Sequence, residues 1–274
     1  MLEARIKTLL CQMSAATMDR ALRRAKAERG ARGRSTTKPG TLLKQAIPVR
    51  TFADWDEHRP GFVEVDLVAH CGDTTAGQHL HTLCLVDVHT HWCELAVLPN
   101  KGQAATFAAL KAMRQQLPFS LLGLDSDNGS EFINDQLYRY CLAEHITFTR
   151  SRPYRRNDQA HVEQKNWSVV RRTIGYARYE SPEAQALIDA IYIDLSLHLN
   201  FFQPTLKLRD KTREGSKVHK HYERAQTPCQ RVLAAPEVAE EIKTALRARF
   251  LLLNPLALRR RIEANLRMLW RVKI

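Results

Sequence analysis

Three carboxylate positions along this chain sit where carboxylates are costly. Asp66 falls in the run Phe62-Val-Glu-Val-Asp-Leu-Val-Ala-His70, among Val63, Val65, Leu67 and Val68. A charged side chain in such a run must pair, stay hydrated or bind a metal. Strand alternation puts Glu64 and Val68 on the same face as Asp66. Asp125 and Asp127 close a second apolar run, in the string GLDSDNGSEF (123–132). Asn128-Gly129 is a turn signal that lifts the chain off a strand end. Asp127 is then expected at the C-terminal rim of the sheet, where open α/β sheets hold their sites. Glu163 is the third. At helical spacing it heads a stripe with Trp167, Val170 and Ile174, which predicts that this stripe faces the core. Singly, each has a structural reading. Asp66 suits a sheet edge or an ion pair, the aspartates suit a solvated turn, and Glu163 suits a helix dipole. Together they are hard oxygen donors, the chemistry of a Mg2+ or Mn2+ site. Alternation alone does not choose between Asp125 and Asp127.

The elements that must hold them follow from pattern. Strands are predicted over 62–70, 79–88 and 91–98, the last two forming a hairpin. An Ala-rich helix over 102–117 is stopped by Pro118. A fourth strand spans 119–125, a helix 132–144 and a fifth strand 146–151, with Glu131 an acid in the first turn of that helix. After the polar loop RPYRRNDQAH, a helix runs from about Asp158 to Tyr176, capped by Asn157 or Asp158. Pro182 opens a helix to about Phe202. The order is mixed α/β, with no internal repeat. Downstream, 206–224 reads as an extended basic segment, one helix starts near Pro236, and another spans Leu256 to Leu269. On the last, Leu258, Ile262, Leu266 and Leu269 share a face, with Arg259, Arg260 and Arg261 largely off it. Upstream, residues 14–29 read as a helix capped by Ser14 and stopped by Gly30. Its outer face carries Arg20, Arg23, Arg24 and Lys26, which suits a solvated helix or a DNA-contacting one. Residues 30–50 read as a basic linker able to lie along a phosphate backbone.

Charge supports a polyanionic partner. The 274 residues carry a net charge of +13. Residues 1–60 and 151–274 hold the basic excess, while 61–150 carry 10 acids against 5 Lys or Arg. Basic arms around an acidic centre suit a protein that grips phosphates and holds cations at one place. The six cysteines form no C-x-x-C pair, and no signal peptide or membrane-length apolar run is visible. Buried free thiols in a cytoplasmic protein are expected. His70, Cys71, His79 and His81 have no common zinc spacing.

Thirty-five residues separate Asp127 from Glu163. With that spacing, Asp66 in the first strand and Asp-Asn-Gly after the fourth, the chain resembles the DDE recombinases of the retroviral integrase and insertion-sequence transposase superfamily. "EQKN" supplies Asn166 at the family's asparagine, three residues after the glutamate. Pro153-Tyr154 and Gln159 stand where retroviral integrases have Pro-Tyr and a DNA-contacting glutamine. The strings SDNGSEF and NDQAHVEQKNW look most like insertion-sequence transposases. The likeness covers about residues 60–176.

The resemblance implies a ribonuclease H-like core with a mixed five-stranded sheet flanked by helices. It selects Asp66, Asp127 and Glu163 as catalytic metal ligands, leaving Asp125 as a structural neighbour. It implies two Mg2+ or Mn2+ ions serving hydrolysis at an element end and then in-line attack of the freed 3′-hydroxyl on target DNA. Double-stranded DNA, both element ends and target, and further copies of the chain are the implied partners. Tyr154, Arg155, Arg156, Gln159, Lys165 and Asn166 are the expected DNA contacts, with Arg152, Arg171 and Arg172 nearby. The expected divisions are a basic helix and linker at 1–60, a catalytic core at 61–203, and a basic and helical region at 204–274. Neither a complete helix-turn-helix nor a His-His-Cys-Cys zinc domain is visible before the core. That suits a truncated transposase or one with reduced end recognition. A nuclease of the same fold and a non-catalytic DNA-binding remnant are the alternatives.

Overall fold

The computed structural model describes residues 6, 13–22, 46–50, 58–152, 156–215 and 217–274. A short helix α1 (Ala15–Ala21) is capped by the Ser14 side chain, which accepts the Thr17 N–H. Arg23, Arg24, Lys26 and nearly all of the predicted linker lie outside the described residues.

The core is one sheet. Strands β1 (Phe62–Ala69), β2 (His81–Asp87) and β3 (Cys93–Leu98) form an antiparallel meander. β4 (Gly123–Ser126) and β5 (Thr147–Arg150) add in parallel on the other side of β1, giving the order β3-β2-β1-β4-β5. This is the mixed five-stranded, helix-flanked sheet of a ribonuclease H-like core. β4 starts later than predicted: residues 119–121 lead into it, and Leu122 bonds to Gly61 and Thr147 at 2.7 and 2.9 Å just before the strand begins. The free edge of β5 is met by the chain before β1. The Arg50 N–H donates to the Arg150 carbonyl at 2.9 Å, and Arg150 N–H to the Pro48 carbonyl at 3.0 Å.

Alternation splits the sheet residues between two cores. Val63, Val65, Leu83, Leu85, Leu98 and Leu124 face α2 (Gln103–Gln116) and α3 (Asp135–Ala143). Asn134 caps α3, so Glu131 lies in the turn before the helix, not in its first turn. On the opposite face, Val68, Cys84, Val86, Cys93, Leu95 and Val97 pack beneath the Glu163 helix and α5 (Pro182–Phe202). α5 starts at its predicted position because Ser181 caps it and Pro182 occupies the first turn.

The predicted helix from Asp158 to Tyr176 is not uniform. A 3-10 turn (Arg156–Gln159) leads into α4 (Ala160–Lys165), which widens into a π-helix (Asn166–Arg171). A π turn advances fewer degrees per residue than the 3.6-residue α turn. The inward stripe therefore becomes Val162, Lys165, Val169, Val170 and Ile174, while Glu163 is exposed and Trp167 is 60% exposed. The expectation that Glu163 and Trp167 face the core is corrected by this change of period.

The basic segment at 206–224 is a hairpin of β6 (Leu208–Glu214) and β7 (Lys217–Tyr222) rather than an extended strand of chain. A helix that pattern reading missed, α6 (Pro228–Ala234), carries a Thr227/Gln230 capping box. It packs Cys229 and Val232 against Trp92 and Phe201. α7 (Glu240–Leu252) and α8 (Pro255–Leu269) follow, and Leu258, Ile262 and Leu269 of α8 are buried. Arg261 grips Asp194 of α5 with bonds of 2.8 and 2.6 Å. Among the described residues no helix is long and apolar enough to cross a membrane.

Candidate active site

The inner face of β1 presents Glu64 and Asp66 in succession, and β4 sets Asp125 beside Glu64 in parallel register. Asp127 follows one residue after β4 and is half-buried. Its Oδ1 accepts the Gly129 N–H at 2.9 Å, an Asx turn that fixes the carboxylate at the strand end. Glu131 then folds back. A Cβ on Gly129 would meet the Glu131 carboxylate at 2.7 Å, so a larger residue there would displace the end of that side chain.

Asp66 is the centre of the cluster. Oδ1 accepts the Leu67 N–H at 2.8 Å and Oδ2 the Asn166 Nδ2–H at 2.7 Å. Burial first, then the carboxylates of Asp127, Glu163 and Glu131, raise its pKa well above the ordinary range. Burial and then Asp127 raise Glu131 in the same way. Carboxylates from β1, the β4 end and α4 therefore act on one another through space. The donor set is all hard oxygen, which fits a divalent cation of the Mg2+ type. Among the described residues no three such groups already converge as a closed cation cage. Glu163 is solvent-exposed, and its charge still reaches Asp66.

Asp125 has different neighbours. It is 1% exposed, accepts the Thr149 hydroxyl at 2.6 Å, and receives Gln159 Nε2–H at 3.2 Å. Burial pushes its pKa up to about 7, against those two bonds. Both carboxylate oxygens of Asp125 are thus hydrogen-bonded to side chains of β5 and of the turn before α4. Asp158, 0% exposed, is gripped by Arg152 through Nε and Nη2, each at 2.8 Å.

The expected DNA contacts divide. Gln159 and Lys165 are buried: Gln159 is turned to Asp125, and Lys165 lies on the inward stripe near Cys84, His91 and His161. Asn166 is engaged with Asp66. Tyr154 and Arg155, and the side chain of Arg156, lie outside the described residues. Sequence reading gave Glu131 to the next helix; the structure instead sets its carboxylate near Asp127 and Asp66. Trp167, expected on the core-facing stripe, points to solvent, and the Arg172 guanidinium sits 5.6 Å from its ring centroid. Arg171 instead turns inward to the Ala69 carbonyl at 3.0 Å.

Residues 56–156 match the family model described as Integrase core domain. The match spans β1 to β5 and includes Asp66 and Asp127; Glu163 lies beyond the matched residues. A curated relative, Uncharacterized protein y4rM of Sinorhizobium fredii (strain NBRC 101917 / NGR234), is 42% identical over 223 residues, 81% of this chain. The chain spans 63% of that relative's length. Among solved structures, the catalytic core domain of BIV integrase is 19% identical, covering 51% of this chain and 83% of that one, with a TM-score of 0.36. The HTLV-2 integrase catalytic core domain in complex with magnesium is 14% identical, covering 54% and 91%, with a TM-score of 0.39.

Proposed function

We propose that the chain is a DNA transposase of the DDE type, cutting and joining strands at mobile-element ends in a divalent-metal-dependent reaction. One observation carries this reading: within an integrase core, the half-buried Asp66 lies in the field of Asp127, Glu163 and Glu131, carboxylates of separate elements. Asp66, Asp127 and Glu163 would hold Mg2+ or Mn2+. When bound, the metal would supply Lewis acidity at the phosphodiester and activate the attacking oxygen. Asn166 orients Asp66 by its 2.7 Å bond, and the Gly129 amide orients Asp127 at 2.9 Å. Each carboxylate thereby keeps oxygen lone pairs for a cation while its rotamer is fixed. Exposed Trp167 and Arg172 beside Glu163 offer a stacking face and a charge to DNA. In the same reading residues 61–203 are the catalytic unit, flanked by basic arms at 1–60 and 204–274, and further copies of the chain assemble on paired ends.

Labelled DNA carrying the flanking element ends, incubated with the protein and Mg2+ or Mn2+, tests this. Joined products that disappear with Glu163→Gln support it. Cleavage without joining identifies a nuclease, and binding with neither identifies a DNA-binding remnant.

A further inference from the structure

We infer that Glu64 is a positioning residue, a carboxylate from β1 that caps the Glu163 helix and sets its distance from Asp66. The inference rests on the metal-site reading above but concerns a residue outside the proposed ligand set. The start of a helix leaves backbone N–H groups without partners, and a local side chain ordinarily accepts one. Here the residue before α4 is Gln159, which makes no side-chain cap bond; its amide is committed to Asp125. The acceptor comes from the sheet instead. Glu64 is 0% exposed, and its Oε2 receives the Val162 N–H at 2.8 Å.

The covalent neighbours give that bond its meaning. Glu64 stands two residues before Asp66 on the same face of β1, a separation of about 7 Å along the strand. Val162 directly precedes Glu163. One hydrogen bond therefore joins the strand of the first proposed ligand to the helix of the third, one residue from that ligand. Asp125, the register partner of Glu64, holds Gln159 at the same helix start. Two buried carboxylates of adjacent strands thus anchor one helix end below the rim where Asp66 and Asp127 lie. Without the Glu64 anchor, the Asn166–Asp66 bond still holds the far end of α4 to β1, but the start of the helix is released and Glu163, between the two, drifts relative to Asp66.

The test uses the full chain with Glu64→Ala, Glu64→Asp and Glu64→Gln. Two readouts are needed: amide exchange at Val162, and Mn2+ half-saturation measured by electron paramagnetic resonance. Glu64→Ala is expected to speed Val162 exchange about tenfold and to raise the Mn2+ half-saturation about tenfold. Glu64→Asp keeps the carboxyl group but loses the reach, and should behave like Glu64→Ala; it carries the comparison if the alanine variant does not fold. Glu64→Gln keeps an acceptor oxygen at full reach and should stay within about threefold of the unsubstituted chain in both readouts. Unchanged exchange and unchanged Mn2+ binding in Glu64→Asp would overturn the inference. So would a Glu64→Gln variant as impaired as Glu64→Ala, because that would make Glu64 a ligand rather than a cap. If the unsubstituted chain itself binds no Mn2+, the metal-site reading fails, and Val162 exchange still decides whether Glu64 anchors the helix.

Discussion

Replacing Asn166 by aspartate puts the candidate site under the most informative strain. Asn166 Nδ2 donates to Asp66 Oδ2 at 2.7 Å, and the Asn166 Oδ1 is buried without a partner. Asn166→Asp removes the donor and sets two carboxylates face to face. A hydrogen bond to a charged acceptor contributes about 1.5–3 kcal/mol. Two like charges relaxed to about 4 Å repel by about 4 kcal/mol at an effective dielectric constant of about 20. Both side chains are half-buried, so solvent screening removes a large part of that sum. A net loss of about 3 kcal/mol in unfolding free energy is expected in metal-free buffer at a pH high enough to ionise both carboxylates, since burial and its acidic neighbours raise the Asp66 pKa. Asn166→Ala, which only deletes the donor, should lose about 1–2 kcal/mol. Millimolar Mg2+ should restore most of the loss in Asn166→Asp and much less in Asn166→Ala, because only the aspartate adds a ligand. Denaturant titrations with and without Mg2+ measure all four values. Equal stability of Asn166→Asp and the unsubstituted chain without metal would refute the assigned Asn166–Asp66 contact. A loss that Mg2+ leaves untouched would refute the link between these carboxylates and a cation.

Two further predictions concern parts of the fold around the site. Glu94 is buried on β3, its Oε1 accepts the Trp92 indole N–H at 2.7 Å, and burial pushes its pKa to about 7 from an ordinary 4.5. Because the folded state holds the proton more tightly, its contribution is fully present below about pH 4.5. It is lost as pH rises through about 7, a decline of about 3 kcal/mol. Glu94→Gln should flatten that part of the stability–pH curve; parallel curves for the two proteins would contradict the assignment. Trp167→Ala should change unfolding free energy by less than about 0.5 kcal/mol, since the ring is 60% exposed. The same change should weaken binding to element-end DNA by about 1–3 kcal/mol in a titration at fixed salt, and a marked stability loss with unchanged binding would show a packing role instead.

The sheet was legible in the sequence because its strands alternate or run apolar between clear turns, and the helix at Pro182 because Ser181 and Pro182 mark its start. The Glu163 helix was legible only as a helix. Its widening at Asn166 shifts the buried stripe onto Lys165 and Val169, and a 3.6-residue period read along the sequence has no way to register that shift. The β6–β7 hairpin escaped for the opposite reason. Nearly all of its residues are exposed, so no burial alternation is written into Leu208–Glu214 or Lys217–Tyr222. The missed helix at Pro228 did carry a readable signal in Thr227-Pro-Cys-Gln230. In the candidate site, residue spacing chose the elements that hold Asp66, Asp127 and Glu163. The partners that distinguish Asp125 from Asp127 come from Thr149, Gln159 and Gly129, contacts that only the folded sheet assembles.

The measurement closest to the central claim is the single-turnover rate of strand joining on pre-cut element-end DNA in Mg2+, compared across four single substitutions. Asp66→Asn, Asp127→Asn and Glu163→Gln should each reduce the rate by at least about 100-fold while leaving DNA affinity within about threefold. Asp125→Asn, a change below the rim, should lose far less. Joining that survives Asp127→Asn but fails with Asp125→Asn would contradict the assignment of the site, and joining that survives all three would contradict the mechanism.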